Sequence, residues 1–337
     1  MKKDENRAFI KKIETLVKPV DVTVISFLGD FNKIFPKKTQ YNIMKRGSKK
    51  IPYMGFIVDP YCFFLSYEIK NVKAAEALLP DTYELVETSL FTSENKKSLM
   101  IMSVFSARTS AFIGTRMEIY LIARNKETGK VAWIIVDYET DTNSYDPASG
   151  FSGYTSDTTI FTTTPYGELL VDIKNSKMNK RISFNADLTI GTMKDLDRTL
   201  WVEGNWAVDY GGKLQNETSS IFSLIFDPVL MKQALHIPLK FLEIETNSYF
   251  NNVIDCKKPL TAACFPYSQH YIIEQNSSPG EIKDERDLEK KIAKFVGTKN
   301  FKTMQGADIK RPLLAGIIVS GILTYGFIIF LLIKLLT

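Results

Sequence analysis

From Leu313 to Ile333 the chain runs for 21 residues without a charge. At about 1.5 Å of rise per residue, a helix of that length reaches roughly 30 Å, the thickness of a bilayer's hydrocarbon core. A surface helix of a soluble protein keeps a charged face, and this run has none. Lys310, Arg311 and Pro312 stand ahead of it, and Lys334 follows closely enough to reach the interface. Residues 313–333 therefore read as one transmembrane helix, and whatever precedes it must fold as a body tethered to a membrane. Gly316 and Ser320 form a small-xxx-small pair through which two copies could associate as a homodimer.

The opening Met1–Glu5 is charged, and Phe9, Ile10, Ile13, Leu16 and Val17 follow with amphipathic helical spacing rather than as the continuous apolar core of a secretory signal. Lys299, Lys302, Lys310 and Arg311 crowd the near side of the transmembrane run. By the positive-inside tendency, a single-pass, tail-anchored protein with its large domain in the cytoplasm is expected. On that topology the sequons Asn216-Glu-Thr218 and Asn276-Ser-Ser278 stay unmodified.

The net charge is +5, yet residues 1–50 alone hold 13 Lys/Arg against 5 Asp/Glu. Such an arm fits an acidic surface. Beside an anchor that surface is the anionic leaflet, so membrane lipid is the expected partner and nucleic acid is not. Hydrophobic residues at 45% and charged residues at 24% exclude bulk disorder. The 22 Phe and 15 Tyr sit in β-branched runs, which favours a sheet-rich core. Cys62, Cys256 and Cys264, with only His236 and His270 to support them, offer neither a metal-ligand spacing nor a disulfide framework, so no metal and no cofactor are expected.

Four segments follow: a basic N-terminal arm with an amphipathic helix (1–50), a globular β domain (51–297), a linker (298–312) and the transmembrane helix (313–333). Within the domain, Tyr61–Ile69, Thr82–Phe91 and Ser98–Ala107 read as strands, with a short helix over Lys73–Leu79. Arg116–Arg124 and Val131–Tyr138 make a hairpin whose loop ends near Gly129. Further strands are expected at Thr159–Thr163, Glu168–Ile173, Arg181–Leu188, Leu200–Tyr210 and Leu239–Glu245, and helices at Asp227–Leu235 and Asp287–Val296. The fold class is α+β: a curved or closed antiparallel β-barrel-like sheet with few peripheral helices, plus the C-terminal transmembrane helix.

Neither Gly-x-Gly-x-x-Gly nor a Walker loop occurs. Gly150-Phe-Ser152-Gly153-Tyr154 has its second Gly misplaced for a nucleophile elbow. The stretch from Asp137 to Ala148 lacks the sixth-position Gly and twelfth-position Glu of a calcium loop. More informative is Gly114-Thr-Arg116-Met-Glu118-Ile-Tyr120-Leu-Ile122. In a strand, Arg116, Glu118, Tyr120 and Ile122 share one face, and Met117, Ile119 and Leu121 the other. The first face either lines a pocket of mixed polarity or carries an outward ion pair on a solvated strand.

Leu78-Leu79-Pro80-x-x-Tyr83-x-Leu85, the Gly114…Glu118 strand with its hairpin, and Tyr166-Gly167-Glu-Leu169-Leu-Val171 together resemble the acetoacetate decarboxylase superfamily. The resemblance runs from about Ala75 to Asp172. It implies a curved antiparallel barrel around a small pocket and turns Glu118 inward. In that family a Gly-Arg-Glu segment is followed by a Pro-Lys whose lysine forms a Schiff base. The corresponding stretch here, Asp146–Pro165, holds no Lys or Arg, and Lys174, Lys177 and Lys180 come later in an expected polar turn. A Schiff-base decarboxylase is therefore disfavoured. The expected activity is binding of a small carboxylate or lipid-like ligand by Arg116, Tyr120 and Tyr154. One alternative is a keto-acid or ester-processing enzyme, lyase or hydrolase-like, using Glu118 as general acid or base with Tyr120 or Tyr154 as donor. The other is a membrane-anchored scaffold or assembly factor.

Overall fold

The computed structural model describes residues 3–23, 26, 36, 53–110, 112–142, 144–146, 150–152, 154–214, 221–275, 277, 280–299 and 306–336. The basic stretch Lys37–Lys50 lies outside them. Chain order begins with α1 (Lys3–Leu16), β1 (Tyr53–Val58), β2 (Cys62–Glu68), α2 (Val72–Glu76), β3 (Tyr83–Leu85), β4 (Glu87–Thr88), β5 (Lys97–Thr109), β6 (Ile113–Asn125) and β7 (Val131–Thr140). There follow β8 (Ser144–Asp146), β9 (Gly150–Ser152), β10 (Thr158–Thr163), β11 (Glu168–Asn175), β12 (Lys180–Asp187), β13 (Thr192–Asp195), β14 (Val208–Tyr210) and β15 (Phe222–Ile225). Last come β16 (Gln233–Ile237), β17 (Leu242–Asn247), β18 (Thr261–Phe265), β19 (Gln269–Gln275), α3 (Glu285–Gly297) and α4 (Gly306–Leu336).

Seven strands close on themselves in the order β5-β1-β19-β15-β14-β7-β6, with β6 pairing back to β5. Closure leaves no free edge along these strands. All neighbours run antiparallel except β14, which lies parallel to β7. The long β5 makes the barrel fork. Its residues 107–109 pair with β1 and its residues 99–104 pair with β2, from which the sheet continues through β18 and β16 to β13. A second sheet, β10-β11-β12-β17, stands beside it.

Period-2 alternation sorts the barrel side chains into two cores. Tyr120, Ile122, Trp133 and Ile135 belong to the interior cluster, whereas Met117, Ile119, Leu121 and Ile134 join a second cluster with Leu169, Val171 and Phe184 from the second sheet. α1 covers β1 and β19, and α3 packs against α1 and β15. Phe9 and Phe295 meet edge-on at 5.5 Å, and α1 passes over Gly55 through Leu16 and Val17. α3 begins at Asp284, whose carboxylate accepts from Asp287 N–H, and buries Leu288, Ile292 and Phe295. Its C-terminal carbonyls are capped from α1: Lys12 Nζ donates to Phe295 O, to Val296 O at 3.3 Å and to Thr298 O at 2.5 Å.

Several elements depart from the sequence expectation. Thr82–Phe91 is split into β3 and β4, which pair with β6 and β5 respectively, and Leu239–Glu245 opens with a 3-10 turn (Leu239–Phe241) before β17. Leu200–Tyr210 is not one strand. A π-helical turn (Thr199–Glu203) and a 3-10 turn (Gly204–Trp206) precede the short β14. Leu200, Trp201, Val202 and Trp206 are buried, and so short an apolar run, broken by Glu203 and Asn205, carries no period to separate helix from strand. Asp227–Leu235 is not one helix. Asp227 caps Val229 N–H and Pro228 starts a turn, but the turn ends at Met231 and the chain enters β16. The start signal was real, and pairing of β16 with β18 captured the residues after it.

α4 contains a 22-residue segment, Leu314–Leu335, of mean hydropathy 2.5 with none of it buried. It is long and apolar enough to cross a membrane. The helix begins at Gly306, ahead of the position expected from charge alone.

Gly211 marks the tightest backbone approach in the barrel wall. Its N–H donates to Ile135 O at 2.9 Å, and a Cβ there would lie 2.3 Å from the Leu78 carbonyl oxygen. Gly211→Ala is expected to destabilise the fold by about 1–3 kcal/mol, read as a lower urea midpoint with unchanged slope. A midpoint equal to the parent's would show that the Leu78 loop moves freely.

Candidate functional site

The interior cluster borders a cavity of about 120 Å³, lined mainly by aromatic and aliphatic side chains. β6 aims Arg116, Glu118 and Tyr120 into it from three successive inward positions. The inward reading of this strand face therefore holds, and its partner face, Met117, Ile119 and Leu121, is buried under the second sheet.

A bulge in β7 prepares the polar end of the cavity. Ile119 faces Asp137 but Tyr120 faces Ile135, which leaves Val136 as the extra residue. One inserted residue reverses the alternation. Trp133 and Ile135 before the bulge, and Tyr138 after it, thus share the inward side. Tyr138 stands opposite Glu118, and its ring lies 4.3 Å from the guanidinium carbon of Arg116. Asp137 and Glu139 turn outward, to Lys180 at 2.8 Å and to Asn175 and Tyr249 respectively. Lys180 is thereby engaged outside the barrel. Lys174 lies in β11 and Lys180 in β12, so only Lys177 stands in the turn between them.

The polar residues form one line. Glu118 bridges its neighbours, pairing through Oε1 with Arg116 Nε and accepting the Tyr120 hydroxyl at Oε2. The Arg116 and Glu118 side chains are only 7% and 12% exposed, so their attraction is little screened by solvent. Tyr120 also packs edge-on against Trp133 at 4.9 Å. Burial, reinforced by the Glu118 charge, holds the Tyr120 phenol well above its ordinary titration range, so it remains a donor. Burial likewise raises the Cys62 thiol, 3.7 Å from Ser103 Oγ, and keeps it un-ionised. Among the described lining residues, Arg116 and Glu118 are the charged side chains, and none is a lysine or a histidine.

Tyr154 lies elsewhere. Its side chain is 59% exposed and does not line the cavity. Three polar-bearing residues that do line it, Trp201, Asn205 and Gln269, carried no signal in the sequence. Trp201 Nε1–H donates to Leu90 O at 2.8 Å, and Asn205 Nδ2–H donates to Trp201 O at 2.7 Å. This fixes the π-helical turn against the cavity, a kind of irregularity that recurs at functional sites.

No protein-family model matches the chain, and no curated protein does. Among solved structures the chain is similar to an acetoacetate decarboxylase from Legionella pneumophila, at 13% identity and a TM-score of 0.43, over 65% of this chain and 84% of that one. It is also similar to the enduracididine biosynthesis enzyme MppR complexed with the condensation product of pyruvate and imidazole 4-carboxaldehyde, at 8% identity and a TM-score of 0.40, over 67% and 87% of the two chains. The same enzyme with HEPES buffer bound gives 10% identity and a TM-score of 0.39. The chain thus bears a partial resemblance to acetoacetate decarboxylase-like proteins.

Proposed function

We propose that this protein is a membrane-tethered barrel that binds a small carboxylic acid in its cavity, without Schiff-base catalysis. The observation that carries the reading is the Arg116–Glu118–Tyr120 line in the wall of a mainly apolar cavity of about 120 Å³. A guanidinium is the side chain best shaped to hold a carboxylate by two parallel hydrogen bonds. The volume is comparable with cavities that take benzene, which favours a ligand of about half a dozen heavy atoms over a lipid acyl chain. That no described lining residue is a lysine supports binding without an amine nucleophile. The apolar α4 supports a membrane tether, and the lysines and arginine before its apolar span support a cytoplasmic domain.

Butanoate, with six heavy atoms, tests this by native mass spectrometry and calorimetry on the full chain. The double replacement Arg116→Met with Glu118→Leu removes both charges together. It is expected to weaken butanoate binding at least about 100-fold, the equivalent of two charge-assisted hydrogen bonds. A folded double variant that binds as the parent does would overturn the reading.

A second reading rests on the Tyr120–Glu118 hydrogen bond, which couples a proton donor to a carboxylate inside the cavity. On it, Glu118 and Tyr120 exchange protons with a bound keto acid or ester. Glu118→Gln would then abolish turnover of such a compound while a ligand is still held.

A further inference from the structure

We infer that the cavity has a second polar wall, and that the acid it binds carries a hydroxyl at the end away from its carboxylate, received there by Gln269 and Tyr271. The inference rests on the reading just given and deepens it by naming the class of acid. β19 aims Gln269, Tyr271 and Ile273 into the cavity from three successive inward positions, while His270 between them turns outward to Glu14 of α1. In the closed order β5-β1-β19-β15-β14-β7-β6, β19 stands three strands from β6 one way and four the other. No strand of the barrel stands farther round. Gln269 and Tyr271 therefore lie across the interior from the Arg116–Glu118–Tyr120 line.

Both side chains have hydrogen-bonding capacity to spare. Gln269 is 1% exposed, and among the described residues its carboxamide reaches only Met231 Sδ, a weak acceptor, at 3.9 Å. Tyr271 is 4% exposed, and Phe56 at 5.8 Å and Phe226 at 5.7 Å flank its ring. Its hydroxyl makes no hydrogen bond to a described residue, and burial holds the phenol well above its ordinary titration range, so it stays a donor. By contrast, Trp201 and Asn205 spend their N–H groups on Leu90 O and Trp201 O. Buried carboxamides and phenols ordinarily have firm partners, because a hydrogen bond left unmade away from water is costly. A ligand hydroxyl both donates and accepts, which suits a carboxamide and a phenol on one strand face. A charged tail would leave water for neutral partners on this strand, which disfavours it.

The test is calorimetry of the full chain with 4-hydroxybutanoate and with pentanoate. The two acids have the same number of heavy atoms and differ by a hydroxyl in place of the terminal methyl. A wholly apolar pocket prefers pentanoate, since the hydroxyl loses its water with nothing in exchange. Here 4-hydroxybutanoate is expected to bind at least about tenfold more tightly than pentanoate, as one or two neutral hydrogen bonds allow. Gln269→Met with Tyr271→Phe keeps the bulk of both side chains and removes their polar atoms, and it is expected to reverse the order. The comparison on the parent stands even if that variant does not fold. Pentanoate bound as tightly as 4-hydroxybutanoate or more so overturns this inference alone, as does a preference for the hydroxy acid that survives in the folded double variant. Binding of butanoate but of neither longer acid overturns it too. If none of the three acids binds, the inference falls together with the ligand-binding reading beneath it.

Discussion

Arg116→Met alone is expected to lower folding stability by about 3–5 kcal/mol, because it leaves Glu118 as an uncompensated buried charge. The guanidinium pairs with Glu118 and lies 4.3 Å from the Tyr138 ring, so the substitution also removes a cation–π contact worth about 1–2 kcal/mol. Replacing Arg116 by Met together with Glu118 by Leu is expected to recover at least half of that loss. What stays lost is the acceptor of the Tyr120 hydroxyl, at about 1–3 kcal/mol, and adding Tyr120→Phe restores most of it. Trp133 and Trp201 lie 5.4 Å apart against the cavity, so their fluorescence follows the unfolding directly. Losses that simply add from the single variants to the double would show that the pair is not energetically coupled.

Removing residues 306–337 is expected to move the protein completely from the membrane pellet to the supernatant, with the barrel intact. Ile322, Leu323, Tyr325 and Phe327 are 61–72% exposed, and each aliphatic or aromatic side chain transferred from water contributes about 1.5–3 kcal/mol. Summed along Leu314–Leu335, that far exceeds what a detachable surface contact offers. The full chain should therefore resist an alkaline carbonate wash that strips peripheral proteins. Release of intact protein by that wash would remove the tether and, with it, any reason to look for the ligand near lipid.

The site was legible where it is written along a single strand. Arg116, Glu118 and Tyr120 alternate with Met117, Ile119 and Leu121, and the period of two holds because both faces of β6 are buried, one in the cavity and one under the second sheet. The rest of the cavity was not legible, since barrel closure brings together Met54, Trp201 and Gln269, the first and last of which are more than 200 residues apart in the chain. No local pattern encodes such a meeting. The strands Phe222–Ile225 and Thr261–Phe265 went unread for a related reason. They are four or five residues long, too short for a period to stand out, and pairing within the larger sheet defines them. The bulge at Val136 is equally silent. Within Val131–Tyr138 the sequence continues without a glycine or proline to mark the inserted residue, yet that residue decides that Tyr138 faces Arg116.

Lys12 has a mechanical consequence. Its ammonium grips the last carbonyls of α3, just ahead of the segment that leads to α4. A force drawn along the tail therefore reaches Thr298 and divides there. Part of it passes through Lys12 into α1, whose Phe9 and Ile13 are seated in the core, so the load does not fall on the barrel strands first. The two ends of the folded body behave as a single handle, and a pull on α4 would strain that handle before it deformed the chamber behind it.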